Sequence, residues 1–216
     1  NSISKLSEEQ LAGVTSQVKG LAGEIGKMPL DLAKGLYDIA SSGFQAEEGM
    51  TVLRASARGA KAGLSETATA ARALTGVLNA YGKSAKDSEA VMDVMFKTVD
   101  RGVITFDELA QSLGGVVSTA ASSGVSIEEV GAAIATLTKA GNQAPEAIVA
   151  LNNALLQIIS PSKEAMDVAR GLGLEWLAAG HGAAELKGVG LEGVMQQIGI
   201  ATGGNIEVMA KLFPEI

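Results

Sequence analysis

Gly124-Val125-Ser126-Ile127-Glu128-Glu129-Val130-Gly131-Ala132-Ala133-Ile134-Ala135-Thr136-Leu137-Thr138-Lys139-Ala140-Gly141 is the stretch on which the fold is decided. Ile127, Val130, Ile134 and Leu137 recur at the spacing that places them on one face of an α-helix. Ser126, three residues before Glu129, has the pattern of a capping box, in which each side chain satisfies the other residue's backbone N–H. Glycine stands at both ends, where a helix can terminate in a left-handed residue that only glycine adopts without steric cost. The stretch therefore reads as one capped helix between two helix-ending glycines.

The same grammar repeats outward in both directions. Gly43, Gly63, Gly82, Gly102, Gly124 and Gly141 each close an apolar-periodic run, at intervals of about twenty residues. Phe44, Leu64, Val103 and Val125 follow four of them, at the position that makes the hydrophobic contact of a Schellman ending. Ser65, Ser84, Thr105 and Ser126 come next and are read as N-caps of the following helices. Thr105 with Glu108 forms a second capping box, and Ser7 with Gln10 a third. Further helical stripes run through Leu32, Leu36 and Ile39, through Val91, Met92, Met95, Phe96 and Val99, and through Ile148, Leu151, Leu155 and Ile158. No segment sustains the period-two alternation of a strand. The fold class is all-α: consecutive short helices in a compact helical array or bundle, with little or no β. Connections this short force neighbouring helices to pack.

Composition agrees. Of 216 residues 47% are apolar, enough for a core, and only 3% are aromatic, so Ala, Leu, Ile, Val and Met must build it. After Ser160 glycines crowd a region of weaker periodicity, with helices expected near Leu191–Ile198 and Ile206–Phe213. The expected organisation is a leading helix over residues 1–27 that ends a longer helical region, a helical core over 28–160, and a looser Gly-rich helical subdomain over 161–216. Residue 1 is not methionine and both ends are abrupt, so the chain reads as a fragment of a longer protein.

Catalytic and ligand-binding chemistry finds little support. The net charge of −7 argues against a phosphate-gripping surface. Absence of cysteine removes disulfides, thiolate metal sites and cysteine nucleophiles. His181 is the single histidine; with Glu185 it makes at most two ligands, so it is read as an exposed loop residue. Gly188, Gly190 and Gly193 spell G-x-G-x-x-G, but the residues before them lack the strand that a dinucleotide site needs. Lys97 to Glu108 has the outline of a calcium loop, yet Lys97, Val99 and Arg101 occupy the oxygen-ligand positions. The pairs Glu8–Glu9, Glu47–Glu48 and Glu128–Glu129 follow expected caps, where acids complement the helix dipole. Arg54, Arg58 and Lys61 form a basic stripe, read as a solvated face rather than a contact for DNA or an acidic partner. Trp176 and Phe213 are read as core anchors. The longest uncharged window, Leu109 to Ile127, is too polar and glycine-rich for a membrane span. No enzyme, no cofactor and no metal are expected.

The ordered series of motifs resembles a family. Ala22-Gly23-Glu24-Ile25-Gly26, Leu36-Tyr37-Asp38-Ile39-Ala40-Ser41-Ser42-Gly43, Leu78-Asn79-Ala80-Tyr81-Gly82, Phe106-Asp107-Glu108-Leu109-Ala110-Gln111-Ser112-Leu113-Gly114, Ala150-Leu151-Asn152-Asn153-Ala154-Leu155 and Ala201-Thr202-Gly203-Gly204 occur in sequence. Together they resemble the core region of phage tail tape-measure proteins of the lactococcal-phage type. Lys27 to Leu30 and Trp176 to Lys187 depart from that pattern. The resemblance implies a structural virion protein that sets tail length by templating tail-tube assembly and assists genome ejection through the host envelope. It implies residence in the tail lumen after assembly in the host cytoplasm. The implied partners are the tail-tube protein, tail assembly chaperones, tail-tip or baseplate proteins and further copies of the chain, with no specific nucleic acid. The competing expectations are a helical scaffold or adaptor unrelated to phage and a membrane-active helical module.

Overall fold

A computed structural model describes residues 8–214, with side chains from residue 12 onward. Among the described residues there are thirteen α-helices and no strand. The Ser7 capping box lies outside them. The helices are α1 (Glu8–Ile25), α2 (Pro29–Ser41), α3 (Ala46–Ala62), α4 (Thr67–Ala80), α5 (Ser88–Arg101), α6 (Phe106–Ser112), α7 (Gly114–Ser123), α8 (Ile127–Lys139), α9 (Ala144–Ile159), α10 (Lys163–Gly171), α11 (Glu175–Ala178), α12 (Gly182–Thr202) and α13 (Ile206–Leu212); a 3-10 turn, Ala85–Asp87, precedes α5.

Two compact units divide between Gly114 and Gly115. This differs from the change expected at Ser160: α8 and α9 pack with α12, so the glycine-rich C-terminal helices share a unit with the helices before them. The boundary falls where the helical run from Phe106 to Ser123 breaks at Leu113 and two glycines follow. Helix interior is where glycine is least favourable.

In the first unit α2, α3 and α4 pack mutually, and α5 and α6 close against α3 and α4. Leu32, Ile39, Leu53, Leu74, Leu78, Met95 and Phe106 are fully buried there. The rings of Phe96 and Phe106 stack with centroids 4.9 Å apart. Gly35 lets α2 approach α4, because a Cβ there would lie 2.7 Å from the Thr67 methyl. In the second unit α8 pairs with α9, and α10 with α11 and α13. Val130, Ile134, Ile148, Leu155, Ile158, Leu186, Val194 and Ile198 are buried. Phe213 is buried as well, whereas Trp176 is only half-buried, held at that depth by an indole N–H bond to Gln197.

Four of the six singled-out glycines have left-handed backbones: Gly43, Gly82, Gly124 and Gly141. Each is followed by an amide that reaches back to the carbonyl five residues earlier, as in Lys83 to Leu78 at 2.8 Å and Val125 to Ala120 at 3.0 Å. Gly63 and Gly102 differ. Gly63 sits at φ −88°, and the left-handed residue is Leu64 at φ +54°. The Ser65 amide then bonds Ala60, so the Schellman ending is displaced by one residue. Packing explains why position 63 is still glycine: a Cβ there would lie 2.4 Å from the Phe106 ring. Gly102 is extended, at φ −104° and ψ −174°. The apolar residues after these two glycines, Leu64 and Val103, point to solvent, while Phe44 and Val125 after left-handed glycines are buried.

Candidate functional site

The polar chemistry of this chain is concentrated at helix ends. Thr105 and Ser126 each cap their helix, with Glu108 and Glu129 returning to the cap amide at 2.8 and 2.9 Å. Ser84 caps the 3-10 turn before α5, with Asp87 as its box partner. Ser65 does not cap α4. Its hydroxyl donates to Asp107 in the first turn of α6, at 2.7 Å, because the displaced ending of α3 makes Glu66 the residue that opens α4. The work of that cap passes to Asp31 in α2, which accepts the Thr67 amide at 3.1 Å and the Thr67 hydroxyl at 2.5 Å. Lys27 pairs with Asp31 at 3.1 Å and donates to the Ser65 carbonyl at 2.7 Å. Nothing in local sequence signals a cap supplied from 36 residues away.

These bonds set the protonation of the carboxylates. Partial burial pushes Asp31 up, but donation from the Thr67 hydroxyl, Lys27 and the Thr67 amide holds it below its ordinary value. The Thr105 amide and hydroxyl hold Glu108 down. Burial raises Glu129, and bonds from the Ser126 amide and hydroxyl and from the Leu191 amide outweigh it.

The basic stripe is a solvated face, as expected, and its two arginines also pair with the chain's own acids at the surface. Arg54 meets Glu24 at 2.6 Å, and Arg58 meets Glu24 at 3.3 Å and Glu89 at 3.4 Å. Lys61 donates to the carbonyl of Ile25 at the end of α1, a favourable place for a cation. A phosphate-binding face would keep these cations unneutralised.

His181 is exposed and its amide bonds the Trp176 carbonyl, and Glu185 accepts from Gln197. Gly188, Gly190 and Gly193 lie inside α12 with no strand before them. Among the described residues no group of three or more His, Cys, Asp or Glu is arranged to hold a metal, and no helix is long and apolar enough to cross a membrane. The helix-ending glycines and caps singled out from the sequence lie at or beside helix ends.

The family described as phage-related minor tail protein matches residues 15–213. This chain belongs to that family. Among its relatives, a protein named tape measure protein from Pneumococcus phage Dp-1 is 26% identical over 171 residues, covering 79% of this chain and 15% of its own length. A probable tape measure protein from Clostridium phage phiCD119 is 31% identical over 123 residues, covering 55% of this chain and 13% of its own. The chain therefore spans about a seventh of each relative. No solved structure matches it. Membership in the minor tail protein family sets aside the reading as a helical scaffold unrelated to phage.

Proposed function

We propose that this chain is a folded segment of a phage tail tape-measure protein, a structural virion component that sets tail length by templating tail-tube assembly and assists genome ejection through the host envelope. The family match across residues 15–213 carries the reading. An α-helix advances about 1.5 Å per residue, so extended helix converts residue number into tail length. No described helix exceeds 21 residues, and that one is broken at Gly190. The segment is therefore a run of short helices within the ruler, and the helical sequence flanking it supplies the measured length. Its partners are the tail-tube protein, tail assembly chaperones, tail-tip or baseplate proteins and further copies of itself, in the host cytoplasm during assembly and in the tail lumen afterwards.

Peptide mass spectrometry of purified tails tests residence in the virion. Peptides from this segment are expected in tails at a fixed ratio to the tube subunit. Their presence in infected lysate but not in tails would contradict a retained structural role.

A further inference from the structure

Glu129 does more than close its own capping box. One carboxylate oxygen, Oε2, accepts the Ser126 amide at 2.9 Å and the Ser126 hydroxyl at 2.8 Å. The other, Oε1, accepts the amide of Leu191 at 2.7 Å, from 62 residues further along the chain. Leu191 follows Gly190, whose φ of +75° and ψ of 174° is the one non-helical conformation inside α12. A side chain at Gly190 would be strained there, and its Cβ would lie 2.6 Å from Oε1. Leu191 begins a new helical turn after the break, so its N–H lacks an intrahelical acceptor and Glu129 supplies one. A single carboxylate thus caps two helix starts.

A second clasp lies beyond the bend. The Trp176 indole N–H donates to Gln197 at 2.6 Å, and the Gln197 amide donates to Glu185 at 2.7 Å. Glu185 and Gln197 flank the break; on one straight helix they would be about 18 Å apart along the axis. Their contact requires the two halves of α12 to fold towards each other. Both clasps therefore end on residues 191–202, whose apolar side, Leu191, Val194 and Ile198, is buried.

We propose that Glu129 is a latch: its carboxylate holds the part of α12 after Gly190 in its docked position, and without that bond residues 191–202 open as a unit while α8 stays folded. Glu129 acts as a positioning residue between two helices, and Gly190 is the hinge.

Two substitutions in the full chain separate the two bonds. Gln serves in a capping box as well as Glu does, so Glu129→Gln keeps a carbonyl oxygen for Ser126 but turns an NH2 towards the Leu191 amide. Hydrogen exchange at residues 191–202 is expected to rise about ten- to a hundredfold, the loss of one charge-assisted bond, with residues 130–139 nearly unchanged. Ser126→Ala is expected to do the reverse, raising exchange in the first turn of α8 and leaving Leu191 protected. In the unsubstituted chain, exchange under increasing denaturant should show residues 191–202 opening before α8. An equal rise in both segments in Glu129→Gln, or a rise in neither, would overturn the proposal, as would simultaneous opening in the unsubstituted chain.

Discussion

Neighbouring positions at the end of α3 are expected to respond with opposite sign to substitution. Leu64 holds a left-handed backbone at φ +54°, and its side chain is 94% exposed, so it incurs the conformational cost with no burial in return. That conformation costs an L-residue about 1–2 kcal/mol. Replacing it with glycine removes that cost and adds the greater unfolded-state freedom of glycine, about 0.5–1 kcal/mol in the other direction. Leu64→Gly should therefore stabilise the first unit by about 0.5–1 kcal/mol. At Gly63 the backbone is ordinary, but an added Cβ would stand 2.4, 2.5 and 2.6 Å from the Cγ, Cδ1 and Cβ atoms of Phe106. Phe106 is buried and stacked on Phe96, so it has little room to yield. Gly63→Ala should destabilise by about 1–3 kcal/mol, the usual range for overpacking. Urea denaturation with linear extrapolation reads both, as midpoints displaced upward for Leu64→Gly and downward for Gly63→Ala at constant slope. A lower midpoint for Leu64→Gly would refute the cost assigned to the left-handed ending at residue 64, and an unchanged one for Gly63→Ala would refute the close packing of Phe106 over Gly63.

Asp31→Ala removes a cap that α2 lends to α4 and the ion-pair partner of Lys27; a loss of about 1–2 kcal/mol is expected in the same denaturation assay, and Asp31→Asn should recover part of it. Asp31, Glu108 and Glu129 are all held below their ordinary values in the folded chain, so the stability they contribute is complete above the unfolded carboxylate range, about pH 4–4.5. It is lost as pH falls through the lower folded values, and thermal midpoints should decline below about pH 4.5 while staying flat from there to neutrality. Glu108→Gln and Glu129→Gln together should flatten that acid limb. Arg54→Ala should leave the denaturation midpoint nearly unchanged, because both the guanidinium and Glu24 remain substantially exposed; a large loss would show that the pair is not the surface contact described.

What could be read in advance follows the range of the interactions. Gly43, Gly82, Gly124 and Gly141, and the boxes at Thr105 and Ser126, are settled within five residues of chain, so periodicity and turn chemistry reach them. Gly63 does end α3, but the left-handed residue is Leu64 and Ser65 does not cap α4, because tertiary contacts override the local pattern: Phe106 claims the space over Gly63, and Asp107 claims the Ser65 hydroxyl. The spacing of Gly188, Gly190 and Gly193 does not itself reveal the break at Gly190, where the next amide is met by a carboxylate 62 residues away. The basic stripe on α3 was legible as helical spacing, but its acidic partners lie on α1 and α5. The division at Gly114–Gly115 was hidden among many glycines, since which helices pack together decides it.

The proposal that this segment belongs to a tail ruler is tested most directly in the phage that encodes it. In-frame deletions of increasing size in the helical sequence flanking the segment, followed by electron microscopy of tails, should give tails shortened by about 1.5 Å for each residue removed. Tails of unchanged length across the deletion series would contradict the account.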